Sequence, residues 1–149
     1  GKLSIFDQSF RTPIIFSWEN KIAKNSRFND LIHTIDISAT VLDYAGIENF
    51  SALGNGNSFK NVIKGLEEGS RNFILGNSNK VRDDDDPMGR DVKAFWARNK
   101  KWFYKSNITD NSEALYNILK DPFCESNVLE GNNRVAKLFK DKLRQKYID

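Results

Sequence analysis

The sequence predicts a mixed α/β protein: a short α/β segment, then a small antiparallel sheet closed by one helix. Three observations carry this. Thr12-Pro13-Ile14-Ile15-Phe16-Ser17-Trp18 is almost wholly apolar, the pattern of a strand covered on both faces. Residues 31 to 47, LIHTIDISATVLDYAGI, then take up helical spacing. Beyond residue 70 the apolar positions alternate in short runs broken by turn residues, and the chain ends in an amphipathic helix.

The elements follow in order. Pro13 stands where a strand can begin, since proline is tolerated at a first strand position. Glu19 to Asn29 is a polar connection. In the next segment Asp36 is placed to cap a helix by accepting from amides two or three residues on. Ile37, Val41, Tyr44 and Ala45 share one face, and Gly46 is a natural stop. Gly54-Asn55-Gly56-Asn57-Ser58 is turn chemistry. Phe59, Val62, Ile63 and Leu66 predict a short helix before Gly69, and Arg71 to Gly76 predicts a strand. Asn77 to Asp91, with Asp83 to Asp86 in a row, predicts an exposed loop. Asp91 to Lys105 reads as two strands joined near Asn99-Lys100, with Val92, Ala94 and Trp96 alternating against Lys93, Phe95 and Ala97. Glu113 to Leu119 is a further strand, turned at Asp121-Pro122. The last helix, NNRVAKLFKDKLRQKY, carries a stripe of Val135, Leu138, Phe139 and Leu143.

Composition bounds the function. The 149 residues suit one ordinary domain or a large piece of a bigger protein. Charged residues make up 29% but are mixed in sign, with a net charge of +3. There is no basic stripe of the kind a dedicated nucleic-acid binder shows. The single cysteine, Cys124, excludes an internal disulfide and a metal site built on cysteine pairs. The single histidine, His33, argues against a histidine metal cluster or a histidine-based triad; it reads as a structural residue. No stretch reaches the roughly 18 apolar residues of a membrane helix. The chain starts with Gly1 rather than Met, so the absence of a leader carries no information.

The run Asp83 to Asp86 reads as a solvated loop rather than a calcium site, because it lacks the EF-hand spacing. Asn79, Arg82 and Arg90 flank it. They are candidate substrate-binding residues for an anionic sugar, since a guanidinium pairs with carboxylate or sulfate through two parallel bonds. Trp96 and Trp102 could stack on sugar rings, but strand alternation favours an aromatic core face.

Several motifs then line up. They are Gly1-Lys2, Asp7 and Arg11-Thr12-Pro13; Asp36-Ile37-Ser38-Ala39-Thr40-Val41-Leu42 with Ala45-Gly46; and Arg98. After these come Ala114-Leu115-Tyr116-Asn117-Ile118 and Asp121-Pro122-Phe123-Cys124-Glu125-Ser126-Asn127-Val128. This succession resembles the C-terminal part of the sulfatases, in the alkaline-phosphatase-like superfamily, and covers almost the whole chain. Ala39 replaces the family's usual proline, Asn117 its aspartate, and Cys124 a common glycine.

The resemblance implies that residues 1–52 form the last strand and helix of the catalytic α/β domain and residues 53–149 the C-terminal subdomain. It implies that Lys2 is the catalytic residue here, its ammonium contacting a sulfate oxygen. The nucleophile, a formylglycine made from a Cys/Ser-x-Pro-x-Arg motif, is not in this sequence. The family's calcium ligands and catalytic histidines also lie upstream of the Gly-Lys. The chain would carry no metal and be inactive alone, its partners being a missing N-terminal catalytic portion and a sulfated small molecule or polysaccharide. Neither nucleic acid nor membrane is an expected partner. Periplasmic or secreted residence follows from the family. Two alternatives stand beside this reading: a stand-alone carbohydrate- or protein-binding module, and a phosphonate or phosphodiester hydrolase of the same superfamily.

Overall fold

A computed structural model describes residues 6–47, 54–79, 92–108 and 110–147. The chain divides into two compact units, Pro13–Ile74 and the chain before and after it. Its elements are α1 (Asp7–Phe10), α2 (Thr34–Tyr44), α3 (Lys60–Ile63), β1 (Ile74–Asn79), β2 (Val92–Arg98), β3 (Trp102–Asn107), β4 (Ser112–Asn117) and α4 (Asn133–Tyr147).

The sheet unit follows the sequence expectation closely. The strands stand in the order β1-β2-β3-β4, with β2/β3 and β3/β4 antiparallel. The first hairpin turns at Asn99, whose Oδ1 accepts from the amides of Lys101 (2.8 Å) and Trp102 (2.7 Å). That side chain closes the turn as a backbone carbonyl would. Both faces of the sheet are covered. Phe103 and Tyr104 are neighbours on β3 and point to opposite sides, yet both are fully buried. One side packs on α4, where Phe139 meets Tyr104 at 6.2 Å between rings and Tyr147 meets Phe95 at 5.3 Å. Lys140 adds an ion pair to Glu113 at 2.6 Å. The buried stripe of α4 is Ala136, Phe139 and Leu143. Phe139 and Leu143 stand in the stripe as expected, whereas Val135 is half-buried, Leu138 is exposed, and Ala136 joins the stripe in their place.

Beyond β4 the chain folds back along the outer edge. Val128 donates to the Leu115 carbonyl at 2.8 Å. Asn127 Oδ1 accepts from the Leu115 amide at 3.0 Å, and its Nδ2 donates to the Glu113 carbonyl at 3.2 Å. An edge strand otherwise offers these groups to any passing chain. Asp121 shapes the turn before this, accepting from the amides of Glu125 (3.1 Å) and Ser126 (2.9 Å). Cys124 sits in that turn at φ +57°, which explains a preference for glycine there.

In the unit Pro13–Ile74, Phe59, Val62 and Ile63 form a small core against Phe16, Ile22, Ile32 and Tyr44. Asp36 organises its polar side. It is 2% exposed. Its carboxylate accepts from the amides of His33 and Asn57, each at 2.8 Å, and pairs through both oxygens with the Arg71 guanidinium. Thr40, also buried, donates to the Asp36 carbonyl and accepts from the Phe59 amide. The α2 C-terminus closes with Gly46 at φ +78° and an Ile47 amide to Leu42 carbonyl bond of 3.0 Å, the expected glycine stop. Lys60 Nζ satisfies the Asp43 carbonyl at 2.9 Å and its carboxylate at 2.8 Å.

Several expectations are corrected in this unit. His33, not Asp36, is the N-cap; its Nδ1 accepts from the Ile35 amide at 3.3 Å, and Asp36 answers from N3 as a capping box. His33 is thus structural, as expected. The buried face of α2 is Asp36, Ala39 and Thr40, while Val41 is exposed. Leu66 lies outside α3 and is exposed, and the strand expected over 71–76 runs Ile74–Asn79. Thr12 to Trp18 makes no strand, and Ile15 is 89% exposed. A strand exists only by pairing, and no described strand pairs with it.

Burial pushes the Asp36 carboxyl up, but the hydrogen bonds from Arg71, Asn57 and His33 and the Arg71 charge outweigh it. Its pKa is held below the ordinary carboxylate value. A depressed acid stabilises the fold above its unfolded pKa, and that stabilisation is lost as pH falls through the folded pKa. Chain stability, followed by urea titration, is therefore expected to drop as pH falls below about 4, and Asp36→Asn to flatten that slope. At pH 7 the substitution should cost about 3 kcal/mol, toward the low end for breaking a buried pair, because the Arg71 side chain keeps 20% exposure. An unchanged acid slope would refute this role for Asp36.

Candidate functional site

The predicted site residues are mostly beyond view. Lys2, Arg82 and Arg90 lie outside the described residues, as does the run Asp83 to Asp86. Asn79 ends β1, but its side chain is outside them too. The best-built polar site among the described residues is the platform on which the chain following Lys2 is seated.

Strand register builds the platform. Trp96 pairs with Lys105 and Arg98 with Phe103 across β2/β3; Phe103 pairs with Tyr116 and Lys105 with Ala114 across β3/β4. These residues share the sheet face opposite α4. A cation on such a face needs a partner, because burying an unpaired charge is costly. Phe6 to Phe10 supplies the partners. Asp7 Oδ1 lies 2.6 Å from Arg98 Nε, with Asp7 2% and Arg98 22% exposed at the side chain. The Nε–H is not aimed along that line, so this contact is one of charge more than of direction. Phe6 places its ring 4.0 Å from the Lys105 ammonium, and Tyr116 lies 5.7 Å from it. Phe10 stacks on Trp96 at 4.2 Å and 19° between planes. Gln8 Nε2 donates to the Pro122 carbonyl at 2.5 Å.

Trp96 is therefore a core residue, closed by Phe10 on one side. A Cβ at Gly76 would collide with its indole, so that position of β1 requires glycine. Trp102 is half-buried, with the Lys101 ammonium 5.3 Å from its ring.

The electrostatics make this a dock rather than a reaction centre. Burial pushes the Cys124 thiol up and the Asp7 carboxylate adds to the shift, against the Asp7 backbone amide. A thiol held neutral is a poor nucleophile. Burial draws the Lys105 ammonium down and the Tyr116 phenol up. Among the described residues no group of three or more His, Cys, Asp or Glu is arranged to hold a metal. The sequence named Asp7 and Arg98 separately as motif positions. Their pairing was missed, although one signal was available: Arg98 shares strand parity with Ala94 and Trp96, an apolar face on which a lone guanidinium is out of place.

Over residues 1–148 the chain matches the family model described as N-sulphoglucosamine sulphohydrolase, C-terminal. It is 27% identical over 168 residues to the ulvan-active sulfatase of Formosa agariphila, spanning 96% of this chain and 33% of that protein. Among solved structures it is similar to a protein of a Bacteroides thetaiotaomicron locus for the metabolism of multiple glycosaminoglycans (TM-score 0.66, 16% identity, 89% of this chain and 30% of that one). It is also similar to a protein solved with its substrate D-glucosamine-2-N,6-O-disulfate (TM-score 0.52, 23% identity, 74% of this chain and 22% of that one). At such identities the structures bear on the fold alone. The chain thus spans about a third, or less, of the length of these relatives.

Cys124 offers a direct check on the docked segment. In the native chain at neutral pH it should react with a maleimide at least about 100-fold more slowly than after unfolding in guanidinium. Labelling at the unfolded rate would mean that Phe6 to Phe10 does not cover this face.

Proposed function

From the premise that this chain belongs to the N-sulphoglucosamine sulphohydrolase C-terminal family, and carries the C-terminal part of the sulfatases' alkaline-phosphatase-like fold, we propose that it is the tail of an enzyme hydrolysing sulfate esters of sulfated sugars. The family match over residues 1–148 carries this reading. The substrate class is supported by the relatives: one is an ulvan-active sulfatase, and another was solved with a disulfated glucosamine.

On this reading residues 1–52 complete the catalytic α/β domain and residues 53–149 form the C-terminal subdomain. The nucleophile and metal belong to a portion N-terminal to this chain, as a formylglycine and a calcium ion. Formylglycine would supply the attacking oxygen and calcium would neutralise sulfate charge. The described residues fit neither group. Lys2 places its ammonium against a sulfate oxygen, where charge develops on the non-bridging and leaving oxygens as the ester cleaves. A fixed cation in a dry site stabilises that charge more than it stabilises the ground state. Asn79, Arg82 and Arg90 would meet the sugar, the two guanidiniums suiting its anionic groups. Export to the periplasm or medium follows from the same family reading.

The apolar run Thr12 to Trp18 supports a missing portion. Ile15 and Trp18 stand exposed on it, a sticky surface unless other strands cover it. The isolated chain is expected to bind a hydrophobic dye and to release no sulfate, and Ile15→Ser to weaken the dye signal. A monomer that leaves the dye dark would remove this support.

The decisive experiment isolates the native protein and maps its peptides. The expected product is several-fold longer than this chain, with an aldehyde in a Cys/Ser-x-Pro-x-Arg peptide. In that protein Lys2→Ala should lower kcat for sulfate release by about 10²–10³. A native product of this chain's own mass, or an unchanged kcat, would sink the catalytic reading of Lys2.

A further inference from the structure

We propose that the outward face of α4 is a docking surface for a sulfated polysaccharide. The inference rests on the reading of the whole protein as an enzyme acting on sulfated sugars, and adds a place where a polymeric one is held.

The chain as a whole is nearly balanced, with a net charge of +3. That balance hides a local excess. Asn133 to Tyr147 carries six basic residues and one acid, Asp141. Lys140 is spent on Glu113, at 2.6 Å, and Lys142 is half-buried. Arg134, Lys137, Arg144 and Lys146 are exposed and make no ion pair with any described residue.

Helix physics accounts for only part of this. The backbone dipole favours cations in the last turn, where Arg144 and Lys146 stand. It disfavours them at the start, yet Arg134 is in the first turn and no acid is there to offset it. Like charges three or four residues apart repel. Arg134–Lys137, Lys137–Lys140 and Lys140–Arg144 are such pairs. Asp141 lies between Lys137 and Arg144 and can neutralise one of them. An anion laid along the helix relieves the rest.

Three features choose the anion. Arg134 and Arg144 are ten residues apart, about 15 Å along the axis. A single ion spans too little of that row. A chain bearing anionic groups at intervals meets all of it, and each contact frees a bound counterion. The apolar stripe of the helix is already spent, since Ala136, Phe139 and Leu143 are buried, so α4 cannot lay that face into a bilayer. The exposed positions of α4 carry no aromatic ring on which a base could stack. What remains is a polyanion read by charge, and a guanidinium meets a sulfate through two parallel bonds. Because α4 lies on the sheet face opposite Phe6 to Phe10, a polymer on it leaves that segment undisturbed.

The test is the binding of dextran sulfate by the native protein, titrated at several salt concentrations. Arg134→Gln, Lys137→Gln and Arg144→Gln together should weaken binding by about 10- to 100-fold. They should also reduce the slope of log K against log salt by roughly 2, at about 0.7 per contact. All three side chains are exposed, so the fold should persist, and a thermal midpoint checks it. Lys21→Gln, Lys24→Gln and Arg27→Gln together remove the same charge from another exposed segment and should weaken binding by no more than about 3-fold. Asp141→Asn should tighten it; failure to do so would overturn the proposal. Equal losses from the two triple variants would mean attraction to net charge alone and overturn it too, as would an unchanged affinity of the α4 variant. Tighter binding to single-stranded DNA or to phosphatidylserine vesicles than to dextran sulfate would overturn it in favour of nucleic acid or a membrane. Sulfate release from p-nitrophenyl sulfate by the same native protein is scored separately. If release is absent while α4 binds dextran sulfate, the enzyme reading fails and the surface stands. If release is present and the α4 variant binds as before, the surface alone fails.

Discussion

The sheet unit depends on a strand that is buried on both sides. Phe103 and Tyr104 are successive residues of β3, and neither is left to solvent. A single four-stranded sheet cannot bury both of its faces, so two covers must come from elsewhere in the chain. One is α4, from the C-terminal end. The other is the segment Phe6 to Phe10, from the opposite end. The apolar residues on the inner faces make both covers favourable, and the charged ones make the second specific. Arg98 and Lys105 stand on the face that α4 does not reach. They are tolerated because the incoming segment brings a carboxylate to one and a ring to the other.

The same demand for closure explains the chain after β4. A sheet edge that is left open invites pairing. Asn127 and Val128 occupy the Leu115 backbone groups, and Asp121 sets the turn that brings them there. The Asp-Pro and Asn-Val pairs of this stretch therefore act as backbone devices. Their side chains or amides meet main-chain groups, and this holds the end of the chain against β4 where α4 begins. Cys124 fits the same turn at a positive φ, so the departure from glycine keeps the turn and adds a buried sulfur beside Asp7.

Legibility in the sequence followed the range of the interaction. The β2/β3 hairpin and α4 were readable because alternation, turn chemistry and the helical stripe are local signals. Of the α4 stripe, Phe139 and Leu143 were legible and Ala136 was not, because alanine is small and its burial shows only against a sheet. At α2 the residue was right and the role wrong. The local pattern makes Asp36 the cap, whereas His33 caps and Asp36 binds Arg71, 35 residues on. No local pattern reports that pairing. Thr12 to Trp18 read as a strand because apolar continuity signals burial. A strand also needs a partner strand, and no described strand pairs there, although Phe16 packs on Phe59 and Trp18 on Tyr44. Of the candidate site, Asp7 and Arg98 were visible as motif positions and invisible as a pair, since 91 positions separate them.

A charge pair is a costly way to attach a segment, and that cost bears on what the attachment does. Desolvation removes much of what a buried ion pair gains, and an apolar pair of similar volume often stabilises a protein as well or better. Phe10 on Trp96 already provides such a contact within three residues of Asp7. If adhesion were the only requirement, a second apolar contact would serve at position 7. An aspartate against an arginine adds little to adhesion, and it neutralises a cation on the sheet face that the rings leave uncompensated. The stacked rings and the ion pair are thus complementary: the first holds the segment on the sheet, and the second neutralises the charge the segment covers.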